Sequence, residues 1–253
     1  MIVYRRKGLV FGEAFYEPVL TSVPKVDILR ITTSRMLSNV TSRARQSHTL
    51  LIDLRRAEQT LFDEMDKGTR YEVRRAIDKD KFDYRLEDDC SERDIGLFCD
   101  YYDRFAASKK RRPVFRKRLR VLAQQGMLIL TRSLASDGEI LVWHSYIRCA
   151  ERVILLYSAS LFREKQDGSL RNLIARANRY THWNDILAFK GMGCMIYDMG
   201  GIDVAGRSPE TSNIAHFKGG FGGSVVPVYS HTLPKSMVGR VVCKMSGVLG
   251  RDL

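Results

Sequence analysis

The stretch Met127–Ser160, MLILTRSLASDGEILVWHSYIRCAERVILLYSAS, holds three apolar runs, at 127–133, 139–149 and 152–160, separated by two short polar breaks. Each run has strand length, and the breaks carry turn chemistry in Asp137-Gly138 and Ala150-Glu151. Connections this short leave room only for hairpins. The spacing therefore predicts an antiparallel three-strand meander.

Toward the N-terminus, Ser91–Ala107 (SERDIGLFCDYYDRFAA) places Ile95, Phe98, Cys99, Tyr102 and Phe105 at helical spacing, and Pro113 marks the start of a second helix. Further out, Thr49–Leu54 (TLLIDL) reads as a buried strand, followed by a helix from about Ala57 to Met65 that Gly68 interrupts. A helix from Thr69 to about Lys79 follows, with Thr69 and Glu72 in a capping-box pattern, and then a strand from Phe82 to Leu86. Arg70, Arg74 and Arg75 fall along one side of that helix, as a solvated face or as contacts to a phosphate-bearing substrate. Residues 1–48 form an N-terminal extension with short β-rich runs near Leu9–Phe11 and Ile28–Thr32.

Toward the C-terminus, a loop leads into a helix from about Leu170 to Lys190, closed by Gly191 and Gly193. Cys194–Met199 is a further strand, the glycine-rich segments YDMGGID and HFKGGFGG follow, and a last strand is expected at Val225–Ser230. The central domain is thus placed at 49–234. A basic tail, 235–253, is mildly amphipathic and suits either an anionic membrane surface or packing on its own domain.

The chain has 253 residues, 44% hydrophobic and 28% charged, which excludes a disordered polymer and a small disulfide-stapled scaffold. A chain of this length buries roughly 70–75% of its unfolded surface. The net charge of +13 favours polyanionic partners: phosphorylated cofactors, RNA or an anionic membrane face. Nine basic residues and no acid lie between Arg104 and Arg120, a run open to reading as an RNA contact, a membrane contact or solvated surface. Five widely spaced cysteines without a CxxC pair point away from zinc and disulfides, and the N-terminus lacks the apolar core of a signal peptide. Both features fit a cytoplasmic protein.

Several residues are suited to chemistry. The loop into the long helix, Arg163–Arg171 (REKQDGSLR), combines an electropositive helix start with a backbone opened by Gly168 and a cap at Ser169. Arg163, Gln166 and Arg171 complete a cradle for a pyrophosphate or nucleic-acid phosphate. His144 sits mid-strand in LVWHSYI, as a proton acceptor or as a satisfied core histidine. Asp198, at the end of a strand and followed by two glycines, is the leading candidate for the base, or else a cap for the next turn. Asn178 and His182 share a helix face and, with Trp183, line an acceptor pocket or pack the helix.

The order of elements suggests an acyl-transfer fold, and four stretches carry a resemblance: MDKGTRYEVRRAIDK (65–79), YSASLFRE (157–164), LIARANRYTHWNDILAFKGMGCMIYDMGG (173–201) and IAHFKGGFGG (214–223). The sequence resembles the Fem-type peptidoglycan-bridge aminoacyltransferases and their single-domain relatives in the GNAT superfamily of acyltransferases. The resemblance implies an α/β (α+β) fold, a mixed, mainly antiparallel sheet flanked by helices. It implies acyl-CoA or aminoacyl-tRNA as donor, no metal, and an anionic or lipid-linked acceptor of the cell envelope or surface glycans, met at the inner face of the membrane. It further implies that Tyr157, Ser158 and Ser160 border the donor. Lys218 corresponds to the lysine that such enzymes place near the reacting carbonyl, and Phe217 shapes the site. A non-catalytic, basic nucleic-acid-binding module of the same fold is the alternative.

Overall fold

The computed structural model describes residues 1–16, 24–37, 43–161 and 167–248. In chain order the elements are β1 (Ile2–Arg6), β2 (Leu9–Phe15), β3 (Ile28–Thr33), β4 (Arg43–Asp53), α1 (Glu58–Asp63), α2 (Lys67–Arg75), a π-helical turn (Ala76–Asp80) and β5 (Asp83–Glu87). They continue with α3 (Glu92–Ser108), α4 (Arg116–Gln124), β6 (Leu128–Leu134), β7 (Ile140–Cys149), β8 (Arg152–Ser160), α5 (Gly168–Gly191), β9 (Ile196–Ile202), α6 (Pro209–Gly219), β10 (Ser224–Pro234) and α7 (Met237–Val248). These make two compact units, one of Thr49–Val225 and one of Met1–His48 with Val226–Leu253.

The larger unit is built on the meander. Strands β5, β6, β7 and β8 pair antiparallel in sequence order, β9 joins β8 in parallel, and β4 lies beyond β9. Both hairpins turn through the left-handed region, Gly138 at φ 84° at no steric cost and Ala150 at φ 48° despite its Cβ. Side chains alternate across the sheet. Trp143 and Tyr157 meet the Phe98 and Tyr102 rings of α3 on one face, and His144 and Tyr146 meet α5 on the other. Leu50, Leu61, Val73, Ile186, Phe189 and Tyr197 fill the core on the α5 face, each burial stabilising by about 1.5–3 kcal/mol.

Three local expectations change. The N-cap of α2 is Asp66, whose carboxylate accepts from the Thr69 amide at 2.5 Å, so Thr69 is the capped residue and not the cap. Asp wins because it stands three residues ahead of a free helix amide, while Thr69 is already buried inside the first turn. Asp167, not Ser169, caps α5, accepting from the Ser169 amide at 2.9 Å. The glycine-rich C-terminal segment is also more regular than its composition suggests. Ser208 and Thr211 form a reciprocal cap, Pro209 opens α6, and the helix carries Phe217 and Lys218.

The smaller unit orders its strands β1-β2-β3-β10, antiparallel, parallel and antiparallel in turn. Its buried Glu13 accepts from the Tyr4 hydroxyl at 2.5 Å and faces Arg30 at 3.8 Å. Helix α7 is anchored at its start, where the Ser236 hydroxyl and the Lys235 amide both donate to Asp27. A Cβ on Gly239 would stand 2.1 Å from the Asp27 carbonyl oxygen, so only glycine lets the helix approach so closely. Among the described residues, no helix is long and apolar enough to cross a membrane.

Candidate active site

The pairing of β8 with β9 covers only Arg152–Ile196, Val153–Tyr197 and Ile154–Asp198. Both strands then run on, β8 to Ser160 and β9 to Ile202, without pairing each other. Two features open the ladder. β8 carries a bulge opposite Ser145 and Tyr146, and Gly200 bends β9 at φ 73°. The result is that β8 from Leu155 onward, still paired to β7 along one edge, has no pairing with β9 along the other.

Lys218 stands at this opening. Its Nζ donates to the Gly201 carbonyl at 2.8 Å, and a Cβ on Gly200 would lie 3.9 Å from that nitrogen and 3.1 Å from the Leu155 carbonyl oxygen. The group is half-buried, and desolvation lowers its pKa from 10.5 to about 8, against the pull of Asp198. The lysine therefore loses its proton near the working pH range of most cells. The glycines after it serve packing. Cβ atoms on Gly220, Gly222 and Gly223 would stand 2.5 Å from Thr69 Oγ1, 2.9 Å from the Glu64 carbonyl oxygen and 2.4 Å from the Leu51 carbonyl oxygen. The Asp66 amide donates to the Gly220 carbonyl at 2.9 Å, so the MDKGT and FKGGFGG stretches of the sequence touch in the fold.

Behind this opening lies a buried polar network. Asp185 of α5 is wholly enclosed and accepts from the Tyr84 hydroxyl at 2.8 Å, from the Tyr146 hydroxyl, and from His144 Nδ1 at 3.0 Å. Tyr146 and Tyr197 hydroxyls are 3.2 Å apart, and the Tyr197 hydroxyl is 2.7 Å from His182 Nδ1. The His182 ring lies tilted against His144, with centroids 4.3 Å apart, and 5.6 and 5.2 Å from the Phe217 and Phe221 rings. Burial and the Asp185 charge push the phenols of Tyr84, Tyr146 and Tyr197 well above their ordinary range, so all three keep their protons. Burial, reinforced by His144, Lys218 and Arg179, holds His182 well below its usual value and hence neutral.

The structure redistributes the expected roles. Asp198 is buried and receives Thr49 Oγ1, Arg152 at 3.1 Å and the Gly200 amide at 2.9 Å. A carboxylate held by a cation and two further donors shapes the β9 bend. His144 has both nitrogens within hydrogen-bond distance of buried partners, Nδ1 of Asp185 and Nε2 of Asn178 Oδ1 at 2.9 Å, which ties it into the network. Asn178 and His182 share the network. Trp183, expected beside them, is turned into the core against Phe62, with ring centroids 5.1 Å apart. Arg74 lies over the Phe62 ring at 5.1 Å, and Arg70 donates to the carbonyls that end α1, so this arginine row has structural employment.

On β8, Ser158 and Ser160 sit opposite His144 and Val142 and so share the α5 face, whereas Tyr157 packs into the α3 aromatic cluster. At the start of α5, Gly168, Ser169 and Arg171 are exposed, and the Asp167 carboxylate already satisfies the Ser169 amide. A carboxylate in that position competes with a phosphate for the same donor. Arg163 and Gln166 lie outside the described residues.

The basic run is less bare than its sequence suggests. Lys109 and Arg111 both reach Glu210, Arg116 bridges Asp100 and Asp103, and Arg120 meets Glu92. Sequence reading overlooked Asp185, Tyr84, Tyr146, Tyr197 and Arg179. One signal was available: Asn178, His182 and Asp185 follow at spacings of four and three, one face of a helix. His144, His182 and Asp185 also have ligand-type atoms within 4.8 Å of one another, but Asp185 and His144 spend theirs on the hydrogen bonds above.

A meander crossing through one long helix to a parallel strand that then parts from its neighbour is a GNAT-like fold, and this chain has it. Solved structures with the same fold include FemX, at a TM-score of 0.59 and 12% identity over 81% of this chain and 72% of FemX. The C-terminal domain of a putative lysylphosphatidylglycerol synthetase from Agrobacterium fabrum matches at 0.52 and 12% identity, over 87% and 72% of the two chains. L-PGS from Bacillus licheniformis matches at 0.51 and 12%, over 83% and 68%. No protein-family model and no curated protein matches the sequence.

Proposed function

We propose that the protein transfers an aminoacyl group from its tRNA ester to an amino group on a cell-envelope or surface-glycan precursor. The observation that carries this reading is the unpaired β8 edge beyond Ile154 with the Lys218 ammonium beside it. An ester carbonyl laid along that edge exposes its oxygen to Lys218, which stabilises the negative charge that develops as the amine attacks. The name of one structural neighbour, the C-terminal domain of a putative lysylphosphatidylglycerol synthetase, joins a lysyl group to a lipid and supports an aminoacyl group as what is transferred. An acyl-CoA donor is the competing source of the same activated carbonyl.

The acceptor is anionic or lipid-linked in this reading. Arg179, which lies over the Phe217 ring at 5.2 Å and has a buried Nε without a partner, supplies a cation for its phosphate or carboxylate. We place the reaction in the cytoplasm at the inner membrane face. Helix α7 suits that location, with Met237, Val238, Val241 and Met245 exposed beside the exposed Arg240 and Lys244.

Incubation with tRNA charged with radiolabelled amino acids, or with labelled acyl-CoAs, together with lipid and glycan precursors tests the assignment. Base-stable amide product from charged tRNA is expected, and Lys218→Met should abolish it. No product from either donor class, or equal product from Lys218→Met, removes the proposal; product from acyl-CoA alone overturns the donor.

A further inference from the structure

The buried network has a direction, set by the carboxylate at one end. Asp185 only accepts, so the single Tyr146 hydroxyl proton is committed to it. The Tyr146 oxygen then accepts from Tyr197, whose own proton is committed in turn. The Tyr197 oxygen is left as an acceptor, and the group facing it at 2.7 Å, His182 Nδ1, must carry a hydrogen. A neutral imidazole has one N–H, so the lone pair of His182 lies on Nε2, which makes no hydrogen bond among the described residues.

We infer that His182 is the general base of the transfer, receiving the acceptor amine's proton on Nε2, and that Asp185 is the positioning group that fixes this tautomer through Tyr146 and Tyr197. This deepens the function proposed above and rests on it. His182 lies against Phe217, the residue next to Lys218 on α6, so base and oxyanion-stabilising cation come from adjoining parts of the site. In the step, the neutral amine attacks the ester carbonyl, the C–N bond forms and the carbonyl π pair moves to oxygen beside Lys218. The amine's N–H proton passes to His182 Nε2, directly or through one water. As the tetrahedral adduct collapses, the C–O bond to the ribose breaks and the imidazolium returns the proton to the leaving oxygen. Amine and ester give amide and alcohol, with no other reactant.

The groups facing His182 are His144 from β7, Tyr197 from β9, Lys218 and the Phe217 and Phe221 rings from the α6 side, and, on its own helix, Arg179 and Asp185, the latter with a carboxylate oxygen within 4.8 Å of an imidazole nitrogen. Lys218 and Arg179 disfavour an imidazolium between turnovers, and the Asp185 carboxylate, already taking Tyr84, Tyr146 and His144, is the nearby anion that a transient one would face during the step.

Long-range proton–nitrogen NMR of the protein carrying ¹⁵N-histidine reads the tautomer with no substrate present. The expected spectrum assigns His182 as Nδ1–H with a bare Nε2 from about pH 6 to about pH 8, and Tyr197→Phe should shift that assignment toward Nε2–H. With the donor that the parent uses, His182→Gln should lower kcat by at least about 100-fold with little change in donor KM. Tyr197→Phe should lose less, in step with its tautomer shift. An Nε2–H tautomer or an imidazolium in the parent overturns the inference whether or not any donor is found. So does parental activity in a folded His182→Gln protein. Absence of turnover with the correct tautomer counts against the proposed reaction and leaves the network geometry standing.

Discussion

The Tyr197 hydroxyl stands 2.7 Å from Nδ1 of His182, at the far end of a buried hydrogen-bonded run that begins on the Asp185 carboxylate. The two residues come from β9, which lines the opening in the sheet, and from α5, the helix that joins β8 to β9. Their contact ties the orientation of an imidazole to a carboxylate it does not touch.

Because three donors converge on Asp185, its removal should be costly. Asp185→Asn introduces an N–H where Tyr84, Tyr146 and His144 all need acceptors, and urea unfolding should show a loss of roughly 3 kcal/mol. Tyr84→Phe removes one donor and should cost about 1 kcal/mol. Equal and small effects from the two variants would show that the network contributes little to folding.

The glycines of FKGGFGG should differ in tolerance according to what faces them. Gly223→Ala drives a Cβ to 2.4 Å from the Leu51 carbonyl oxygen at a φ of 84°, and a loss of more than about 2 kcal/mol is expected. Gly219→Ala meets nothing within 4 Å inside α6 and should be neutral or stabilising by up to about 1 kcal/mol. Thermal melts of the two proteins decide the matter, and a tolerant Gly223 would contradict the close approach of the two segments.

Lys218 predicts a pH signature of defined sign. Its ammonium form, present below about pH 8, is the one that stabilises an oxyanion, so turnover should fall as pH rises through about 8. Folding responds the other way, since burial disfavours the charged form. That penalty is in place below about pH 8 and is relieved as pH climbs toward 10.5, where lysine in an unfolded chain titrates. Lys218→Arg should remove the alkaline fall in activity, and a limb left in place in the arginine variant would assign it to another group.

Within the basic run, Lys109, Arg111, Arg116 and Arg120 meet acids, and Lys110, Arg112 and Lys117 are exposed; with the aminoacyl-tRNA donor proposed above, these three are the ones expected to meet its phosphates. Replacing those three by Gln should flatten the dependence of log affinity on log salt by about 2–3. Replacing Arg116 and Arg120 should move stability by less than about 1 kcal/mol and the slope little, because each already faces a carboxylate. Filter binding across a salt series separates the two sets.

What the sequence by itself determined is local or periodic. The meander could be read because alternation and short turns act between neighbours in the chain, and the long helix because its apolar residues recur at one spacing. Lys218 stood out because a motif surrounds it. Tertiary structure alone decided the base. His144 and Asp198 looked eligible as isolated residues, yet one is held at both nitrogens and the other is paired with Arg152. A lone pair is free or spent according to partners 34 to 149 residues away, as with His144 and Asn178 or Asp198 and Thr49. Proton-transfer chemistry depends on that pairing, and pairing exists only once the sheet and α5 have packed together.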